Sequence, residues 1–359
     1  EHFVYTLNVP GWALPSIHGR KEVEERKRSR WLQYEEIRTM VNDGLTPWSI
    51  VKKTGMPVGT VYAWVRGTST PRRSIITHEW KRADELKPGD WVGFPINAAP
   101  IAGPTEVIIQ PRKVTQPPGG FPLKWKAPER LSVTPELCWL LGLFLADGSA
   151  RKGGINIALG LQEPDIAQRA ARCLEEIFGV RPVIRHRASV IEVYVSAAEL
   201  QPIFASWAGT GAHHKQFPDW AMAQSGEQLA GLLRGFWEGD GYERRANGFS
   251  YYGMSTVSAT LAFQLVTVLL RQGIIPTLRV RVQGPHAHSA GKIIYAVEIA
   301  ADREHFASWL GLPQPSGKIG HHWRSKGFFL DNCFWMRVRK VERQRYKGPV
   351  YDIQTDGSY

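Results

Sequence analysis

A chain of 359 residues with 43% hydrophobic residues and 14 Trp has enough apolar surface for two or three cored domains, which excludes a disordered chain. Its 45 Lys and Arg against 33 Asp and Glu leave a formal charge of +12, an excess that favours a polyanionic partner and ranks nucleic acid ahead of a membrane surface. No apolar run approaches about 18 residues and the N-terminus has no basic-then-apolar signal pattern, so an intracellular protein without a membrane span is expected.

Residues 1–15 alternate loosely between apolar and polar and predict strands. The run Arg20 to Trp31, RKEVEERKRSRW, reads equally as a solvated helix face or a phosphate-binding one. Between Tyr34 and Gly67, turn signals separate three short amphipathic segments. Ile37, Met40 and Val41 form the first apolar face. Thr46 followed by Pro47 is an N-cap with proline at the first helical position, and Gly55 closes that second helix. Pro57 opens a third, with Val58, Val61, Tyr62 and Val65 inward and Thr60, Ala63, Trp64 and Arg66 outward. This arrangement resembles a helix-turn-helix with residues 57–66 as the recognition helix, and Thr60, Trp64 and Arg66 as DNA-binding candidates. The bland alternative is a three-helix bundle making protein contacts.

From Thr77 to Pro95 the pattern changes to strand, short helix, turn and strand. Residues 98–130 are proline-dense and basic, with Arg112 and Lys113 among the cations, and predict a linker without regular structure that either follows phosphates or merely tethers. Cys138, Cys173 and Cys333 are odd in number and lie in apolar contexts, as reduced core thiols do. His213/His214 and His321/His322 lack the i, i+4 spacing of a helical metal site.

The most unusual feature is a repeat. LLGLFLADG (Leu140 to Gly148) returns as LRGFWEGDG (Leu233 to Gly241), each read as a helix whose last turn delivers a carboxylate, Asp147 or Asp240. An acid at the negative end of a helix is destabilised unless a cation sits beside it, and the same violation made twice suggests a functional site. Thr134-Pro135 caps the first helix, and Ser225 with Gln228 predicts a capping box on the second. Gly179, Pro182, Ile184, Arg185 and Arg187 recur 94 positions later as Gly273, Pro276, Leu278, Arg279 and Arg281, and FASW at 204–207 recurs at 306–309. Lys215 and Lys318 follow the two FASW segments at nearly the same distance. A duplicated αββαββα unit with pseudo-twofold symmetry follows, in which Gly142 and Gly235 let the two helices touch and bring the carboxylates together. Oxygen ligands so placed suit Mg²⁺, with Ca²⁺ or Mn²⁺ as substitutes. On the strands, Arg185, Arg187, Arg279, Arg281 and Gln283 alternate with apolar residues, giving one basic face for DNA and one face for the helices.

Residues 131 to about 330 therefore resemble the LAGLIDADG homing endonucleases. The resemblance implies Asp147 and Asp240 as metal-binding catalytic acids with the carbonyls of Gly148 and Gly241 beside them, and Lys215 and Lys318 as charge-stabilising catalytic lysines. The family's first acid is Leu145 in one motif and Glu238 in the other. Trp80, Ala83, Leu86, Gly89, Asp90 and Val92 resemble the Hint fold of intein splicing domains, which implies His2 and Asp352 as splicing-domain remnants. Neither a Cys or Ser at Glu1 nor a His-Asn pair at Tyr359 marks a splice junction, so splicing by these residues alone is not expected.

The fold expected is α+β: a Hint-like, mostly β domain (1–19, 74–97 and 341–359), a helix-turn-helix insertion (20–73), a basic linker (98–130) and the endonuclease (131–340, repeats about 131–224 and 225–340). The function implied is Mg²⁺-dependent double-strand cleavage of a long, largely asymmetric DNA site by a monomer encoded within an intein, in the cytoplasm or nucleoid of a prokaryotic or phage-infected host. The alternatives are a protein-splicing element or a DNA-binding protein that has lost cleavage.

Overall fold

A computed structural model describes residues 3–8, 14–71, 77–96, 103–109, 126–151, 153–246, 249–283, 291–300, 302–315, 327–330, 332–343 and 345. The chain divides into two compact units, residues 1–95 with 324–359 and residues 96–323. In chain order the first unit contributes β1 (Phe3–Asn8), α1 (Leu14–Asn42), α2 (Pro47–Thr54), α3 (Val58–Val65), β2 (Thr77–Arg82) and β3 (Trp91–Pro95). The second opens with a small hairpin, β4 (Glu106–Ile108) and β5 (Arg130–Ser132). Next come α4 (Pro135–Asp147), β6 (Gly148–Arg151), β7 (Gly154–Leu159), α5 (Pro164–Phe178), β8 (Val183–His186), β9 (Ile191–Val195) and α6 (Leu200–Ala208). After the short α7 (Asp219–Met222), the same order returns as α8 (Gly226–Asp240), β10 (Gly241–Ala246), β11 (Phe249–Thr256), α9 (Ala259–Arg271), β12 (Thr277–Val282), β13 (Ile293–Ile299) and α10 (Arg303–Leu310). The chain then re-enters the first unit as β14 (Gly327–Leu330) and β15 (Cys333–Arg337).

The αββαββα order thus occurs twice, as expected. Each repeat forms a four-stranded antiparallel sheet, β6-β7-β9-β8 and β10-β11-β13-β12. The registers are equivalent: Ile184 faces Val193 in the first sheet where Leu278 faces Val297 in the second.

At the centre lie α4 and α8. Residues Leu137 to Leu145 are buried without interruption, so α4 is apolar all round, as a helix enclosed on every side must be. The two helices run the same way. A Cβ on Gly142 would lie 2.0 Å from the Leu232 carbonyl oxygen, and one on Gly235 2.0 Å from that of Trp139. Only glycine permits this approach at both positions. Thr134 caps α4 by accepting from Leu137 N–H at 3.1 Å. The capping box predicted for α8 does not form: Ser225 occupies the N-cap but its hydroxyl makes no capping bond, and Gly226 follows in the left-handed region at φ 56°.

In the first unit, α1, α2 and α3 enclose a small core of Ile37, Met40, Ile50, Val61 and Trp64. Thr46 caps α2 from Ser49 N–H and Gly55 ends it at φ 66°, as the sequence predicts. The charge run lies within the 29-residue α1, in keeping with its reading as a helix face. Two expectations fail here. Residues 14–15, predicted as strand, begin that helix. Trp64 is not outward: it is 3% exposed and Tyr34 meets its ring edge-on at 5.6 Å, whereas Val58 is 46% exposed. Burying the large indole removes more apolar surface from water than burying a valine, and this rotates α3 about its axis.

The remainder of the first unit is a five-stranded sheet, β14-β15-β3-β1-β2. Strand, short 3-10 turn (Ala83–Glu85), turn and strand follow one another from Thr77 to Pro95 in the expected order. Residues 327–337, assigned from the sequence to the endonuclease segment, instead pair with β3, so the boundary falls near 324. The linker reading of 98–130 also needs correction. Residues 106–108 form a strand, Gln224 donates to the Pro104 carbonyl at 3.0 Å, and Ala127 N–H donates to Glu199 at 2.7 Å, so both ends of the segment are docked on the second unit.

All three cysteines are buried and free. Among the described residues no helix is long and apolar enough to cross a membrane.

Candidate active site

Because α4 and α8 run parallel, both C-termini and both terminal carboxylates arrive together. Each helix end carries a partial negative charge, so two ends and two acids concentrate anionic character in one place. A Cβ on Gly239 would fall 2.4 Å from Asp147 Oδ2, so the small residue lets one helix accept the other's carboxylate. The glycines after the acids are required by crowding rather than by left-handed backbone. Gly148 and Gly241 have φ −86° and −84°, but a Cβ would strike the Phe144 ring at 2.2 Å and the Trp237 carbonyl at 2.3 Å.

The cation that helix ends call for is Lys215. Its Nζ donates to the Ala146 carbonyl at 2.7 Å, in the last turn of α4. Burial pushes the Asp147 carboxyl up to about 7, the Asp240 charge adds to this, and Lys215 opposes it. Burial likewise pushes Asp240 up to about 6 against the pull of Lys215. Burial lowers Lys215, and the two acids hold it up. Three charged groups therefore share one desolvated site, and such perturbation is more frequent at functional sites than elsewhere.

Sequence reasoning missed what fixes Lys215. The buried Ser258 hydroxyl donates to the Lys215 carbonyl at 2.6 Å and also caps α9 by accepting from Leu261 N–H at 3.2 Å. Two residues on, Gln264 accepts from Phe217 N–H at 2.7 Å and donates to the Phe217 carbonyl at 2.9 Å. The second repeat thus holds the lysine that the first repeat's helix end needs. The N-cap pattern at Ser258 was a visible signal for the helix start, not for this second bond.

Glu238 does not join the carboxylates. It accepts from the Trp139 indole at 2.6 Å and from Arg234 at 2.9 Å, with Arg169 at 4.0 Å and stacked on Trp139 at 3.9 Å. It ties the repeats together on another face of α8, while Leu145 is fully buried.

Of the strand residues, Arg185, Arg187, Arg279 and Arg281 are exposed and Gln283 is half-buried. Arg185 lies over the Tyr194 ring at 4.8 Å, Arg187 pairs with Glu192 at 3.0 Å, and Arg279 and Arg281 both pair with Glu298. The expected apolar face is only partly covered: Val280 and Val282 are 60% and 69% exposed, while Leu278 packs against the core. In the first unit, Arg66 is exposed with its guanidinium 5.6 Å from the Tyr62 ring, and Thr60 is half-buried. Lys318, Arg112, Lys113, His2 and Asp352 lie outside the described residues.

The family model of the LAGLIDADG-like domain matches residues 134–206 and again 227–306, one match within each repeat. The chain is also 28% identical over 249 residues to the ATP-dependent DNA helicase Hel308 of Thermococcus kodakarensis, covering 65% of this chain and 21% of that protein. It is 27% identical over 172 residues to an iron-sulfur cluster assembly SufBD family protein of Mycobacterium bovis, covering 46% of this chain and 20% of that protein. The chain therefore spans about a fifth of the length of these relatives. Among solved structures, the homing endonuclease I-DmoI in complex with DNA and Mn superposes with a TM-score of 0.37 and 17% identity, covering 50% of this chain and 97% of that one.

Proposed function

We propose that this protein is a homing endonuclease of intein origin that makes a double-strand break at a specific DNA site by metal-dependent phosphodiester hydrolysis. The observation that carries the reading is the convergence of Asp147, Asp240 and Lys215 at the paired helix ends of two LAGLIDADG-like repeats.

A divalent cation fits the residues present. Two desolvated carboxyls with raised proton affinity at two helix C-termini form a site that a cation would relieve, and an oxygen-only donor set suits Mg²⁺, which retains waters. Among the described residues no third His, Cys, Asp or Glu joins them, which fits a shell completed by water and phosphate oxygens. Asp147 and Asp240 would hold the ion, with the Gly148 and Gly241 carbonyls as further candidates. The chemistry such an ion supplies is Lewis-acid stabilisation of charge on the phosphodiester. Lys215 would add a fixed positive charge for the reacting phosphate, held in place rather than recruited from solvent. Lys318 would serve the second strand.

The basic strands of both repeats would contact DNA, and α1 to α3 would act as a helix-turn-helix that lengthens the site, with Arg66 and Thr60 as its contacts. Origin in an intein is supported by the relatives: a helicase and an iron-sulfur assembly protein share no activity in name, yet each matches this chain over about a fifth of its length. A segment common to unrelated hosts behaves as a portable insert. The strands from Thr77 to Pro95 would then be its splicing module.

The test is a cleavage selection on a randomised duplex library with Mg²⁺, with Ca²⁺ as a non-cleaving control. We expect double-strand ends at one long site, lost in Asp147→Asn and Asp240→Asn while binding persists. Binding without cleavage by the wild type would establish the non-cleaving reading instead.

A further inference from the structure

The two sheets hold equivalent arginines by different means. Tyr194 stands beside Val183 in the first sheet, and Glu298 stands beside Thr277 at the same register position in the second. Arg185 and Arg279 are likewise equivalent, facing Glu192 and Ala296. In the first repeat the guanidinium of Arg185 rests on the face of the Tyr194 ring. In the second, Glu298 is 4% exposed and receives Arg279 Nε on Oε2 at 2.5 Å and Arg281 Nη2 on Oε1 at 3.1 Å, while both arginines remain exposed.

A buried carboxylate with both oxygens engaged by arginines is a clamp. Removing two charges from water is costly, and the pair is stable only where geometry is good, so the guanidiniums lose rotational freedom. Arg279 meets the carboxylate through Nε, and in a planar guanidinium the edge formed by the two terminal nitrogens then lies on the far side of the group. A guanidinium edge of that kind matches the O6 and N7 acceptors of guanine.

We propose that Glu298 is a specificity-determining positioning residue: by clamping Arg279 and Arg281 it commits the second repeat to a guanine at one position of the target, whereas the stacked Arg185 of the first repeat leaves its half more tolerant. This rests on the reading of the sheets as the DNA-facing surface. Glu298 itself is too buried to contact a base; its effect passes through the arginines.

The experiment is the library selection repeated with Glu298→Gln, Glu298→Asp and Arg279→Lys, with Tyr194→Leu as the control. Glu298→Asp keeps the buried charge while withdrawing the carboxylate from both arginines by one methylene, so it reports even where the glutamine variant folds poorly. Guanine preference is expected to fall at least about tenfold at a single position, the same one for the Glu298 and Arg279 variants, with cleavage of a site altered there unimpaired. Tyr194→Leu is expected to leave that position unchanged. A merely structural role would weaken all positions together, and that result, or Glu298→Asp retaining the wild-type profile, would overturn the proposal alone. A wild type that selects no sequence would overturn both the proposal and the function on which it rests.

Discussion

The paired acids Asp147 and Asp240 should destabilise the metal-free protein, and Asp147→Asn tests this directly. The Asp147 carboxyl rises from 3.8 to about 7. At about 1.4 kcal/mol per pH unit, its ionisation costs the folded state on the order of 4 kcal/mol, and residual water at a partly exposed site reduces that to about 2 kcal/mol. The folded state binds the proton more tightly than the unfolded chain, so stability falls as pH rises from about 4 to about 7 and is level above that. Asparagine carries no proton to lose. In EDTA at pH 8 the variant should therefore melt roughly 4–8 °C above the wild type for a unit of this size, and the difference should vanish near pH 4. Differential scanning calorimetry across that range checks the prediction. Mg²⁺ should then stabilise the wild type and not the variant, since only the former has the anionic site to bind it. A variant that melts at or below the wild type at pH 8 would refute the claim that these carboxyls are desolvated and mutually repelling.

Gly235→Ala should destabilise the second unit by at least about 3 kcal/mol, read by chemical denaturation, because its Cβ would meet the Trp139 carbonyl and Leu143 N–H with no flexible side chain to yield. Ser258→Ala should slow single-turnover cleavage while leaving DNA affinity intact, with Ser258→Thr restoring the rate; unchanged cleavage would remove Ser258 from the support of Lys215. Arg66→Ala should lower the salt slope of DNA binding by about one without changing the cleavage rate, and an unchanged slope would detach α3 from DNA.

Much of the site was legible because its chemistry is local. The Asp-Gly pairs, the glycine contacts and the 94-residue offset are properties of short segments, and each reappears in the structure where periodicity places it. What was not legible depends on side chains meeting across the chain. Trp64 was placed outward because the apolar spacing allows two helix faces, and only competition for the core between Val58 and Trp64 decides which is buried. Ser258 drew no sequence prediction, and its bond to Lys215 spans 43 residues. The return of β14 and β15 to the first sheet depends on pairing with β3, more than 200 residues earlier, and no local signal encodes it. Glu298 did leave a trace, as the one charge in the strand IIYAVEI, a sign that a buried acid needs partners.

The two repeats share a backbone plan but not its side chains. Gly142 and Gly235 meet the opposite helix reciprocally, and the two Asp-Gly ends are built alike. Around that conserved centre the equivalences break down: Ser149 corresponds to Tyr242, whose ring covers Gly253, and Asn156 corresponds to Gly253 itself. Glu238, tied to Trp139 and the arginines, has only the buried Leu145 as its counterpart. Close packing at the helix pair tolerates little change, since one methyl group there collides with backbone, whereas the exposed sheet faces can diverge at small cost. Duplication followed by such divergence separates the two tasks. The centre leaves little room for change and the sheets are free to differ, so on the proposed function the two halves of the DNA site need not match.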